Sequence, residues 1–309
     1  MTVTPRVKEI LGWYESDNPG TKTSIARLLT HGALAGTGKM VVYPVDQGFE
    51  HGPARSFAAN PAAYDPHYHF RLAVESGCSG YASVLGMLES GADTFAGQIP
   101  LVLKMNSANS LYPKTEEYQP NQAVTATVDD ALRLGCTAIG FTIYPGSGDS
   151  FDQFEEIRDL IAEAKAAGLA SIVWSYPRGG FLTSPDETAV DICTYGAHMA
   201  ALLGAHIIKV KLPTDHLGLP EAKKVYEAEK IDVATMAARV KHIKEATLGG
   251  RRLVIFSGGS AKGDDAVYSD VQAIADGGGD GSIIGRNVFQ RPEAEAKAML
   301  GKIMGILRG

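Results

Sequence analysis

Ala205-His206-Ile207-Ile208-Lys209-Val210-Lys211 is an apolar run that ends in two lysines. Lysine is rarely buried without a chemical reason. If this run is a strand of a parallel barrel, Lys209 points into the catalytic mouth, where a desolvated lysine can attack a carbonyl and form a Schiff base. The run reads as a strand buried on both faces. Seven more runs of the same kind flank it, at residues 41–46, 80–85, 100–106, 138–144, 170–176, 252–257 and 281–285. The gaps between them leave room for helices. Eight strand–helix repeats in 309 residues fit an α/β fold of the (β/α)8 TIM-barrel type. We therefore expect one domain, 1–309, with residues 1–40 as an N-terminal helical extension, since 6–34 reads as helical and precedes the first strand.

Local signals agree with the alternation. Ser184-Pro185-Asp186-Glu187 has the order of an N-cap, a first-turn proline and a capping-box acid, which predicts a helix starting there. Thr127 with Asp130 is a weaker version. Phe151, Phe154, Ile157 and Ile161 fall at helical spacing with Gly168 as a stop, and Arg291-Pro292-Glu293 can open the last helix. Two stretches, 107–126 and 212–231, exceed ordinary loops and are candidates for lids or binding edges.

Composition bounds the function. A formal charge of −6 without a block of like charge argues against a nucleic-acid or membrane surface. No run approaches the ~20 apolar residues of a membrane span, and the first residues carry no signal-type stretch. Cys78, Cys136 and Cys193 show no CxxC spacing and read as free thiols in a reducing compartment, so a cytoplasmic location is expected.

The strand ends carry the chemistry. Asp46 closes the first run, Lys104 and Asn106 the third, Tyr144 the fourth, Trp174 and Tyr176 the fifth, Lys209 and Lys211 the sixth. Ser257-Gly258-Gly259 and Gly285-Arg286 follow the seventh and eighth, where barrels often hold a phosphate: glycines let backbone N–H groups approach, and an arginine adds a charged fork. Each has a plainer alternative. Lys209 could sit in a structural ion pair, the glycines could simply turn the chain, Trp174 and Tyr176 could plug the barrel top, and Asp46 could be a buried salt bridge. The histidines, including His51, His67, His69 and His206, lack metal-ligand spacing, so no metal and no cofactor is expected.

Taken together, Val45-Asp46-Gln47-Gly48-Phe49-Glu50-His51-Gly52, Trp174-Ser175-Tyr176-Pro177-Arg178-Gly179-Gly180, Ile207-Ile208-Lys209, Ser257-Gly258-Gly259 and Ile284-Gly285-Arg286-Asn287 resemble the archaeal-type (DhnA-like) class I fructose-bisphosphate aldolases, in order and with compatible spacing. Segment 212–231 is more like that of the family's bacterial branch. The resemblance implies a metal-independent TIM barrel that cleaves fructose 1,6-bisphosphate reversibly to dihydroxyacetone phosphate and glyceraldehyde 3-phosphate. It implies Lys209 as the Schiff-base lysine, Tyr176 as the proton-transfer tyrosine with Trp174 beside it, and Asp46 as the active-site aspartate. It makes Ser257, Gly258, Gly259, Gly285 and Arg286 the phosphate site. Lys104, Tyr144 and Lys211 are further candidates for contact with substrate. By analogy the chain forms a homo-oligomer, a decamer in many relatives. A related Schiff-base lyase or transferase on another sugar phosphate, or a non-catalytic sugar-phosphate-binding barrel, are the competing readings.

Overall fold

The computed structural model describes residues 3–111, 119–258 and 262–309. Eight parallel strands close on themselves: β1 Met40–Val45, β2 Gly80–Ser83, β3 Leu101–Lys104, β4 Ala138–Ile143, β5 Ala170–Ser175, β6 Ile207–Lys211, β7 Leu253–Ser257 and β8 Gly281–Ile283. Neighbours in sequence are neighbours in the barrel, and β8 returns to β1 with Met40 opposite Gly281. All eight expected runs are strands. Closure is tight at Gly281, where a Cβ would lie 1.9 Å from the Met40 carbonyl oxygen, so only glycine fits.

Side chains alternate across each strand. Val42, Val102, Ala138, Ile172, Ile207 and Ile255 share one buried cluster, and Val41, Leu103, Ile139, Val173, Ile208 and Val254 belong to a second. The first cluster is the barrel interior; the second is the layer beneath the outer helices. Full burial of both faces explains the near-continuous apolar runs.

The opening segment forms two helices, Pro5–Gly12 and Pro19–Leu29, capped by Thr4 and Asn18. It ends at Leu29 rather than at 34 and is broken at Trp13–Asn18. Val7, Ile10, Tyr14, Ile25, Leu28 and Leu29 join the interior cluster with Met40, Val42, Ala170 and Leu253, near the strand starts, so the extension plugs the barrel bottom. A polar clasp fastens it. Tyr14 Oη donates to the His206 carbonyl at 2.7 Å. The Ser171 N–H donates to His206 Nδ1 at 2.9 Å, which leaves the proton on Nε2, and that nitrogen donates to Asp17 at 2.9 Å.

The gaps are unequal. Between β2 and β3 stands only the short helix Leu85–Glu89, and between β6 and β7 stand two, Pro220–Ala228 and Met236–Ala246. The first of these pairs gives structure to the 212–231 segment. The expected helix start at Ser184 is a correction. Asp186 to Thr188 make a single 3-10 turn, and the helix runs Val190–Leu202 after Ala189. The Asp186 carboxylate is engaged with the Thr183 N–H and hydroxyl and with His216, while Glu187 turns to Lys211. The capping residues hold two loops together instead of starting a helix. The Thr127–Asp130 capping box, the helix Ser150–Ala166 ahead of Gly168, and the last helix Glu293–Arg308 form as expected. Among the described residues no helix is long and apolar enough to cross a membrane.

Candidate active site

A cavity of about 460 Å³ opens at the C-terminal ends of the strands, a volume suited to a small phosphorylated ligand. Asp46, Lys104, Tyr144, Trp174, Tyr176, Lys209, Lys211, Ser257, Gly258, Gly285 and Arg286 all line it. Gly259 falls outside the described residues. The convergence follows from strand parity. Residues 104, 174, 209 and 257 lie an even number of positions from Val102, Ile172, Ile207 and Ile255, which face the interior.

Lys209 stands opposite Trp174 in the β5–β6 register and is 5 % exposed. Its Nζ lies 5.3 Å from the Trp174 ring centre and 5.2 Å from that of Tyr176. Among the described residues it makes no hydrogen bond, so the amine's partners are two aromatic faces. Its pKa falls from 10.5 to about 8: burial is the main cause, Asp46 and Glu50 oppose it, and Arg286 adds to the fall. The alternative of a structural ion pair at Lys209 does not hold.

The Trp174 indole is admitted by Gly140 on β4, where a Cβ would lie 2.2 Å from the ring. Any side chain there would displace the indole. Burial also raises the Tyr176 phenol, with Ser257 beside it working in the opposite direction, so it is held protonated. Lys211 Nζ lies 5.7 Å from the same phenol ring and is paired with Glu187 at 3.1 Å. One aromatic ring thus meets two lysines of one strand, of which only Lys211 has a carboxylate partner.

Lys104 is 3 % exposed, and burial lowers its pKa to about 8 as it does that of Lys209, but its amine is hydrogen-bonded. Its Nζ donates to the Asn106 carbonyl oxygen, to Asn106 Oδ1 at 3.0 Å and to Gln122 Oε1 at 3.1 Å. Asn106 is itself locked to β4 through both the N–H and the carbonyl of Thr142. A two-residue ribbon, Asn106–Ser107 with Ala123–Val124, brings Gln122 to this place.

Several lining residues were not assigned to the site from the sequence: Glu50, His51, Arg55, Gln122, Arg178 and Thr188. Glu50, His51 and Arg178 stand inside motifs already quoted, which is the signal that could have found them. Gln122 had none, being one polar residue in a long polar loop. The Arg178 guanidinium lies 4.8 Å over the Tyr144 ring. Histidines outside the cavity have other work: His67 bonds the Ser90 carbonyl and His69 bonds Ala63 and Tyr43. Among the described residues no three His, Cys, Asp or Glu side chains gather as a metal site.

A model of the DeoC/LacD family aldolases matches residues 40–291. A Chlamydia muridarum protein named probable fructose-bisphosphate aldolase class 1 is 35% identical over 94% of this chain and 86% of its own length. A fructose-bisphosphate aldolase class 1 of Thermoproteus tenax is 35% identical over 84% of this chain and 87% of its own. An archaeal fructose-1,6-bisphosphate aldolase, solved with its catalytic lysine covalently bound to the carbinolamine intermediate of the substrate, superposes with a TM-score of 0.75 at 30% identity, covering 92% of this chain and 98% of that one. A closed eight-stranded parallel barrel with a desolvated lysine at the tip of its sixth strand, matched along 40–291, makes this chain a member of the DeoC/LacD aldolase family.

Proposed function

We propose that the chain is a class I fructose-bisphosphate aldolase and acts as one domain over its whole length. The observation that carries the reading is the Lys209 amine, buried, facing Tyr176, and without a carboxylate bonded to it. Lys209 attacks C2 of the ketose, and loss of water gives an iminium ion. The iminium draws in the C3–C4 bonding pair while Asp46 takes the C4 hydroxyl proton. Glyceraldehyde 3-phosphate leaves, and an enamine remains. Tyr176 protonates C3, and hydrolysis frees dihydroxyacetone phosphate. Ser257, Gly258, Gly285 and Arg286 hold the phosphate on C1, which brings C2 to the amine; this is catalysis by positioning. Arg55 and Arg178 line the same cavity and suit the phosphate of the other half. Lys211, held by Glu187, and Trp174 border the reacting carbons.

The enzyme is expected to work in the cytoplasm as a homo-oligomer. The buried free thiols of Cys78, Cys136 and Cys193 accord with a reducing compartment. A coupled assay for triose phosphate release from fructose 1,6-bisphosphate tests the function. Turnover by the native protein and its loss in Lys209→Ala with an unchanged circular-dichroism spectrum support it. A protein that binds the sugar phosphate yet releases no triose would be a binding barrel instead.

A further inference from the structure

We propose that Lys104, Gln122 and Tyr144 form a polarised hydrogen-bond chain that aims the Tyr144 hydroxyl proton at the oxygen of the aldehyde fragment. The inference rests on the aldolase reading above and assigns the oxyanion donor of that reaction.

The direction of every bond in the chain follows from its first member. A lysine ammonium has three donors and no acceptor. Burial lowers the Lys104 pKa to about 8, so below that pH it is the ammonium and spends all three, on the Asn106 carbonyl, Asn106 Oδ1 and Gln122 Oε1. The Gln122 amide oxygen therefore faces the ammonium, and its Nε2 donates to Tyr144 Oη at 2.7 Å. This removes the usual ambiguity between the two ends of an amide. The Tyr144 oxygen is an acceptor from Gln122, so its own proton points elsewhere, and among the described residues that hydroxyl donates to no group. Tyr144 is 2 % exposed and lines the cavity. Burial pushes its pKa up to about 12, so the proton stays on the phenol at any working pH.

The chain and the Schiff-base lysine both approach the Trp174 ring. Lys104 Nζ is 5.8 Å from the indole centre and Lys209 Nζ is 5.3 Å from it. The ketose half is served by Lys209, and the donor from β4 serves the other half. In condensation the enamine pair makes the C3–C4 bond, and the carbonyl π pair of the aldehyde moves onto its oxygen. That oxygen takes the Tyr144 hydrogen bond as its charge grows, then the proton that Asp46 carries. A donor aimed where charge develops lowers the barrier without affecting imine formation.

Tyr144→Phe removes the donor. Gln122→Glu is nearly isosteric, but its carboxylate accepts from both Lys104 and Tyr144 and so turns the phenol proton away from the cavity. Both are measured for condensation of dihydroxyacetone phosphate with glyceraldehyde 3-phosphate, and for borohydride trapping of dihydroxyacetone phosphate alone. The chain predicts that each variant loses ~100-fold in kcat/KM for condensation, that trapping at Lys209 stays native-like, and that the double variant is no worse than either single one. Undiminished condensation in Gln122→Glu, trapping lost together with turnover, or multiplying losses in the double variant would each overturn it. Lys104→Met should match Tyr144→Phe; should it fail to fold, the Gln122 and Tyr144 variants decide. A native protein that traps no dihydroxyacetone phosphate would refute the aldolase reading and not the chain alone.

Discussion

At Lys209 the question is which groups set the fraction of neutral amine. An ordinary lysine is almost wholly protonated at neutral pH. This one is lowered to about 8, by burial first, with Asp46 and Glu50 opposing the fall and Arg286 adding to it. Imine formation should therefore rise with pH through about 8 and level off above it. Glu50→Gln removes a carboxylate that stabilises the ammonium form, so the midpoint of trapping against pH should move to lower pH; an upward move would contradict the electrostatic account. Burial also has a cost in stability. The folded pKa lies below the unfolded one, so the unfolded chain binds more protons between about 8 and 10.5, and stability grows as pH rises through that window. Lys209→Met should resist urea better than the native protein at pH 7, and the difference should shrink toward pH 10.

At the scale of the strand, inward parity explains why so many site residues were legible. An apolar run tipped by a polar residue places that residue on the interior face, which is why Lys209, Trp174, Lys104 and Ser257 meet. Loop residues obey no such period. Gln122 reaches Lys104 only because the ribbon of Asn106–Ser107 with Ala123–Val124 folds back, and nothing local in 107–126 announces it. Gly140 was equally silent, because its demand comes from an indole on the next strand. The helix expected at Ser184 does not form for a related reason: its capping glutamate, Glu187, is captured by Lys211 from β6. Gly140→Ala should therefore fold but act poorly, since the added methyl would displace Trp174, whose ring centre lies 5.3 Å from Lys209 Nζ. Tryptophan fluorescence and kcat together check this, and native values of both would show that the indole has room to move.

For the molecule as a whole, the helical extension and the catalytic mouth lie at opposite ends of one barrel. Its place as a plug was only partly legible, because a helical pattern before the first strand does not say which barrel end it will cover. Leu28 is fully buried inside the strand starts. Leu28→Ala should destabilise by ~2–5 kcal/mol in denaturant unfolding. Where the protein remains folded, kcat should stay near native, because the cavity is not touched. A chelator should leave activity unchanged, since the proposed steps run on an amine, a phenol and a carboxylate.

The central claim is that a covalent bond forms between ketose C2 and the nitrogen of Lys209. The most direct measurement is peptide mass spectrometry after borohydride reduction of the native protein turning over fructose 1,6-bisphosphate. The account predicts a reduced triose or hexose phosphate adduct on Lys209 and none in Lys209→Met. An adduct on Lys211 or Lys104, or an unmodified Lys209 in a preparation that still cleaves the sugar, would contradict it.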